Sequence, residues 1–173
     1  MPSYGPNVAT ANASSGIGWG FTGDTFCQTL NDTPGGNATY SPGNWGVVKT
    51  FGFTIPTDEL VTSIDVSVRA YEATPATTGL LDVGLTIDGT TAAVALQRIT
   101  TTDTYQTFPL SFGSLAVASV NGANFGVYME EVTGSGPTGI DFISVTVNTR
   151  VATGGAIQEN FTTYIPNFGI KEI

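Results

Sequence analysis

The chain has 173 residues, 40% hydrophobic but only 11% charged, and carries a net charge of −9. That balance excludes a nucleic-acid or anionic-membrane partner, both of which draw on clustered Lys and Arg. It has no histidine and a single cysteine, Cys27, which removes His-activated nucleophiles, a thiol–imidazole pair, an intrachain disulfide and a Cys/His metal cluster.

In chain order, residues 1–12 read as an irregular N-terminal extension containing Pro2 and Pro6, with no basic and apolar leader pattern. Gly16-Ile17-Gly18-Trp19-Gly20 is Gly-rich but lacks the strand–turn–helix setting of a dinucleotide loop. Turn-forming clusters follow at 31–37 and 41–44, and Phe51, Phe53 and Ile55 alternate as a strand stopped by Pro56. Ile64-Asp65-Val66-Ser67-Val68-Arg69 alternates apolar and polar, as a half-buried antiparallel strand requires. Leu81 to Ile87 does the same, Asp88-Gly89 signals a hairpin turn, and Val94 and Leu96 begin the return strand. Thr107 to Phe112 alternates around Pro109, which points to an edge or a bulge. Phe125, Val127 and Met129 share one face, as do Ile143, Val145 and Val147. The expected interior is Val66, Val68, Leu85, Ile87, Phe125, Val127, Ile143, Val145 and Val147. No apolar run approaches the ~20 residues that a membrane-spanning helix needs.

These short alternating strands, separated by turn clusters, predict an all-β antiparallel sandwich over residues 13–151. Residues 152–173 follow Gly154-Gly155 and are strongly apolar. They read either as a last strand of the same sandwich or as an extended C-terminal arm that docks on another subunit. The arm is the preferred reading, with Phe161, Tyr164, Ile165, Phe168 and Ile170 as assembly contacts.

Catalysis finds little support. Glu130-Glu131 is the one acidic doublet, and neighbours on a strand point to opposite faces, so the two cannot act together. Asp65 and Asp82 lie on polar strand faces. Asp141, between Ile140 and Phe142, opens a strand where a carboxylate accepts backbone N–H bonds or holds Ca²⁺ with loop carbonyls, but one acid does not make a metal site. No catalytic residue, cofactor or metal is therefore expected, and the chain reads as a non-enzyme. Trp19, Tyr40, Trp45, Tyr71 and Tyr105 are candidates for stacking on sugar rings.

Four ordered blocks within residues 17–148 resemble a β-sandwich domain of tailed-bacteriophage structural proteins. They are Trp19 with the segment from Thr22 to Tyr40; Phe51-Gly52-Phe53-Thr54-Ile55-Pro56 continuing through Leu60 and Val61 to Ala70; Asn124-Phe125-Gly126-Val127-Tyr128; and Ile140 to Val147. The chain departs from that pattern in lacking the Trp-Gly that often precedes the third block, where Ser111-Phe112-Gly113 stands instead. The resemblance implies a jelly-roll-like fold and a virion structural protein assembled in the host cytoplasm. In that setting it would act as a capsid decoration or cement protein contacting the major capsid protein, other virion proteins and further copies of itself. The alternative is a carbohydrate-binding, lectin-like module or a tail- or fibre-associated host-recognition protein with a surface glycan as partner.

Overall fold

The computed structural model describes residues 1–14, 19–21, 36–38, 44–72, 78–132 and 136–152. The strands are β1 (Ser3–Val8), β2 (Ala11–Ser14), β3 (Trp19–Phe21), β4 (Gly36–Ala38), β5 (Trp45–Lys49), β6 (Glu59–Glu72), β7 (Gly79–Thr86), β8 (Gln97–Thr101), β9 (Gln106–Phe112), β10 (Gly126–Glu131) and β11 (Thr138–Val151). A single helical turn, α1 (Val117–Val120), precedes β10.

Two antiparallel sheets result. The first runs β3-β4-β11-β6-β9, with β1 also paired to β11; the second runs β2-β5-β10-β7-β8. β1 and β4 share one edge of β11, β1 along Ser144–Asn148 and β4 along Gly139–Ile140. From β5 onward the chain crosses between the sheets at every step except the β7–β8 hairpin, and the resulting orders, β11-β6-β9 against β5-β10-β7-β8, are jelly-roll wiring. The expected all-β, jelly-roll-like antiparallel sandwich is what the chain forms. Pro109 sits on β9, an edge strand, where its missing N–H breaks no ladder.

The core lies between the sheets and follows the alternation. Val66, Val68, Leu85, Phe125, Val127, Ile143, Val145 and Val147 are at most 1% exposed. Ile87 is the exception at 45% exposed. β7 ends one residue earlier because the Thr86 hydroxyl donates to Asp88 Oδ1 (2.9 Å) and accepts from the Gly89 N–H (3.0 Å). Asp88 also accepts from the Thr90 and Thr91 N–H groups and from the Thr91 hydroxyl. These bonds, led by the Thr91 hydroxyl, hold its carboxyl well below the usual carboxylate range. The expected hairpin turn at Asp88-Gly89 is thus part of a wider, side-chain-pinned loop. The return strand begins at Gln97 rather than Val94, and Leu96 folds back over Gly84, where a Cβ would meet Leu96 Cδ2 at 2.7 Å.

Two further expectations change. Phe51, Phe53 and Ile55 are buried but belong to neither sheet. Their backbone is held by a side chain: Asn121 accepts from the Ile55 N–H (2.9 Å) and donates to the Ile55 carbonyl (2.8 Å). The Phe51 and Phe53 rings meet Phe125 edge-on at 6.2 and 6.0 Å. Residues 1–12, read as irregular, instead supply β1 to the first sheet and begin β2 in the second. A bulge in β1 between Tyr4 and Asn7 accommodates Pro6, and Gly5 is required there: its φ is +109° and a Cβ would collide with Val145 O. The apolar segment 153–173, with Phe161, Tyr164, Ile165, Phe168 and Ile170, lies outside the described residues.

Candidate functional site

Alternation along β6 sends Ile64, Val66, Val68 and Ala70 inward, so Asp65, Ser67, Arg69 and Tyr71 line the outer face of the first sheet. Ser111 and Pro109 of β9 stand opposite Asp65 and Ser67, and Thr146 and Ser144 of β11 flank the same pair on the other side. These residues bound a groove of about 370 Å³ along β6. Its floor is short side chains and hydroxyls.

One end of the groove is a fixed polar network. Asp65 accepts from the Ser111 hydroxyl (2.7 Å) and from Asn148 Nδ2 (2.7 Å), and Asn148 also bonds Ser63 Oγ (3.0 Å). Three strands thereby orient one solvent-exposed carboxylate. Further along the same face of β6, beyond the residues that line the groove, is an aromatic cluster. The Tyr71 ring covers Gly139, its cross-strand partner, so closely that a Cβ there would collide with it. Tyr105 packs against Tyr71 at 4.5 Å, and the Arg69 guanidinium lies 5.4 Å over the Tyr105 ring. Arg69 also pairs with Asp141 (3.5 Å), which is fully buried at the bulge between Ile140 and Phe142. The structure therefore makes Asp141 the anchor of Arg69, not a groove ligand.

The outer face of the second sheet is different. Trp45 stacks on Tyr128 at 6.0 Å, and Tyr128 donates to Glu130 (3.2 Å). Burial, helped by Glu130, pushes the Tyr128 hydroxyl up to about 12. Asp82 and Arg98 form a two-bond ion pair at 2.8 Å each. Of the five stacking candidates, Tyr71 and Tyr105 meet, Trp45 lies on the opposite sheet, and the side chains of Trp19 and Tyr40, like Cys27, lie outside the described residues.

Glu130 and Glu131 point to opposite faces, as expected. Glu131 is 5% exposed and faces the interior beside Glu72, Thr101 and Thr138, all 2% exposed or less. Burial pushes the Glu131 carboxyl up to about 7; the Thr138 N–H opposes this and the charge of Glu72 adds to it. The sequence analysis missed this cluster, although Glu72, Thr101 and Glu131 each fall on the apolar phase of their strand. Among the described residues no three His, Cys, Asp or Glu side chains come together as a metal-binding group, and no helix is long and apolar enough to cross a membrane.

No protein-family description matches the chain, and no curated protein matches it. Solved structures do. An arabinose-bound α-L-arabinofuranosidase, MgGH51, superposes with a TM-score of 0.51 at 14% identity, over 83% of this chain and 25% of that one, so the similarity spans a quarter of the enzyme. The structure of BiXyn10A CBM1 matches with a TM-score of 0.46 at 15% identity, over 67% of this chain and 76% of that one. The CBM22-1 xylan-binding domain of Paenibacillus barcinonensis Xyn10C matches with a TM-score of 0.45 at 11% identity, over 84% and 92%. At these identities the likeness concerns the fold alone.

Proposed function

We propose that the chain is a carbohydrate-binding domain that holds a neutral glycan along the outer face of the first sheet. The observation that carries this reading is the groove over β6 with its oriented carboxylate and amide, and the Tyr71–Tyr105–Arg69 cluster further along the same sheet face. Sugars present paired hydroxyls and apolar C–H faces. Planar Asp, Asn and Arg groups match the first, and aromatic rings match the second. The short Ser and Thr floor leaves room for a chain to lie along the strand. A net charge of −9 disfavours acidic glycans. Asp65 is the one carboxylate among the groove-lining residues, which supports binding without turnover, because glycoside hydrolysis ordinarily needs a pair.

Affinity electrophoresis and calorimetry against neutral soluble polysaccharides (xylan, arabinoxylan, mixed-linkage glucan, mannan, starch) test this. At least one should bind. Thr146→Trp, which fills the groove, and Asp65→Ala should each weaken binding tenfold or more, while Asp82→Ala on the other sheet leaves it unchanged. Binding that survives Thr146→Trp, or none to any glycan, rejects the site.

A second reading, assembly into a virion, rests on the sequence resemblance and on one surface. Leu60 (45%) and Val151 (56%) are exposed at the same end of the sandwich. A groove of about 660 Å³ there is lined by Leu60, Leu115, Val117 and Arg150, near the end of β11 at Val151. A decoration protein that also binds glycans would satisfy both readings.

A further inference from the structure

Asn121-Gly122 is the one Asn-Gly pair in the sequence, and it follows directly on α1, in the loop before β10. The Asn121 amide clasps the Ile55 end of the segment from Phe51: Oδ1 accepts from the Ile55 N–H (2.9 Å), and Nδ2 donates to the Ile55 carbonyl (2.8 Å). At the other end, Asn7 Nδ2 donates to the Phe51 carbonyl (2.9 Å). Between these amides Phe51, Phe53 and Ile55 are at most 4% exposed, although they belong to neither sheet. Only a group that both donates and accepts can make the two bonds to Ile55, and an ionised carboxylate in the same place accepts only. That amide has a short chemical route to a carboxylate. A backbone nitrogen following an asparagine can attack its side-chain carbonyl, and glycine, having no Cβ, hinders the attack least. In the folded chain each reacting group is tied to a partner of its own. The side chain is committed to Ile55, the Gly122 N–H donates to the Ser119 carbonyl (3.1 Å), and Asn121 keeps a helical ψ of −9°.

We infer that Asn121 is a self-modification site whose reaction waits for the Phe51–Ile55 segment to open and whose product keeps it from closing. When the Ile55 end lifts away, the Asn121 side chain is free to turn, and rotation about ψ breaks the Gly122–Ser119 bond. The Gly122 nitrogen then bonds to Asn121 Cγ, and the amide nitrogen leaves as ammonia, taking the Gly122 proton. Water opens the resulting succinimide ring to aspartate or isoaspartate. The net change is one amide for one carboxylate, with water as the only co-reactant. The carboxylate has no proton for the Ile55 carbonyl, and the two oxygens repel each other where a bond of 2.8 Å stood. In isoaspartate the main chain is also longer by one methylene. Openings of this kind are local and reversible in ordinary segments; here each one carries a chance of becoming permanent, so the population drifts from clasped to released with time. The inference does not depend on the glycan reading.

The test incubates full-length protein in mildly alkaline buffer, with and without enough urea to unfold it, and follows Asn121 by peptide mass spectrometry. Urea should speed the exchange of amide for carboxylate by roughly tenfold or more, because every molecule is then open. In native buffer, Phe53→Ala, which loosens the segment, should raise the rate severalfold, whereas Val145→Ala, which weakens the core on β11, should not. Reacted chains, separated on anion exchange by their added negative charge, should show faster hydrogen exchange at Phe53 and Ile55 and a lower thermal midpoint. Asn121→Asp supplies one product directly and should show the same two changes. Should that variant fail to fold, the separated chains, which folded before they reacted, carry the measurement. Equal rates with and without urea overturn the proposal, as do reacted chains with the exchange and midpoint of the intact protein. Equal acceleration by Phe53→Ala and Val145→Ala also overturns it, because the reaction would then follow global unfolding.

Discussion

At the scale of single residues, position on a strand decides chemistry more than residue type does. Glu130 and Glu131 are chemically identical neighbours. One meets solvent and a tyrosine hydroxyl, while the other is enclosed, its carboxyl pushed up to about 7. An acid with a raised pKa in the folded state binds more protons folded than unfolded between the two values. Its stabilising contribution is full below about 4.5 and is lost as pH rises through about 7. The protein should therefore lose stability between pH 5 and pH 7.5, by on the order of 1–3 kcal/mol, since one pKa unit is about 1.4 kcal/mol. Urea denaturation across that range checks this, and Glu131→Gln should flatten the slope. The doublet's split was legible from alternation alone. That Glu131 would meet Glu72 was not, because the two lie on different sheets, and nothing in the order of residues states which strand ends face each other.

At the scale of elements, the long strands β6 and β11 follow their sequence pattern closely, because a period of two with one buried face fixes register. The segment from Phe51 to Ile55 shows the limit of that rule. Its alternation and burial were legible, but its ladder partner is a side chain 66 residues further on. An amide replaces a strand, so the pattern of a strand appears without a sheet. Asn121→Ala should cost about 1–2 kcal/mol in urea denaturation, since two backbone groups lose their partner. Ile87→Ala should change stability by less than about 0.5 kcal/mol, because Ile87 stands in solvent just past the end of β7.

At the scale of the whole molecule, composition and turn spacing were enough to give the sandwich, and the resemblance supplied its jelly-roll form. The groove and the oxygen cluster were not legible, because each needs three or more strands placed side by side. Tyr71 and Tyr105 were singled out separately; only the pairing of β6 with β9 and β11 brings them together over Gly139. The last backbone bond of the described chain joins the Ala152 N–H to the Asp58 carbonyl (2.8 Å). Removing residues 153–173 should therefore leave a folded sandwich with an unchanged thermal midpoint. If those residues form an arm, sedimentation or light scattering should show the truncated chain at lower mass than the full chain. Unfolding of the truncated chain would mean that the segment is part of the same domain.

The pairing of Ser3 with Asn148 and of Tyr4 with Val147 has a consequence in time. All strands of the second sheet have been synthesised once Glu131 is made, whereas the first waits for Val151, the end of its central strand. A growing chain thus holds β1 and β6 without the neighbour between them, and the apolar inner face of the second sheet lacks the part of its cover that β11 supplies. Ribosomes add roughly 5–20 residues per second, so these unpaired edges persist for seconds before β11 emerges. Closure then joins β1 and β6 through β11 in one cooperative step, late in the synthesis of this sandwich.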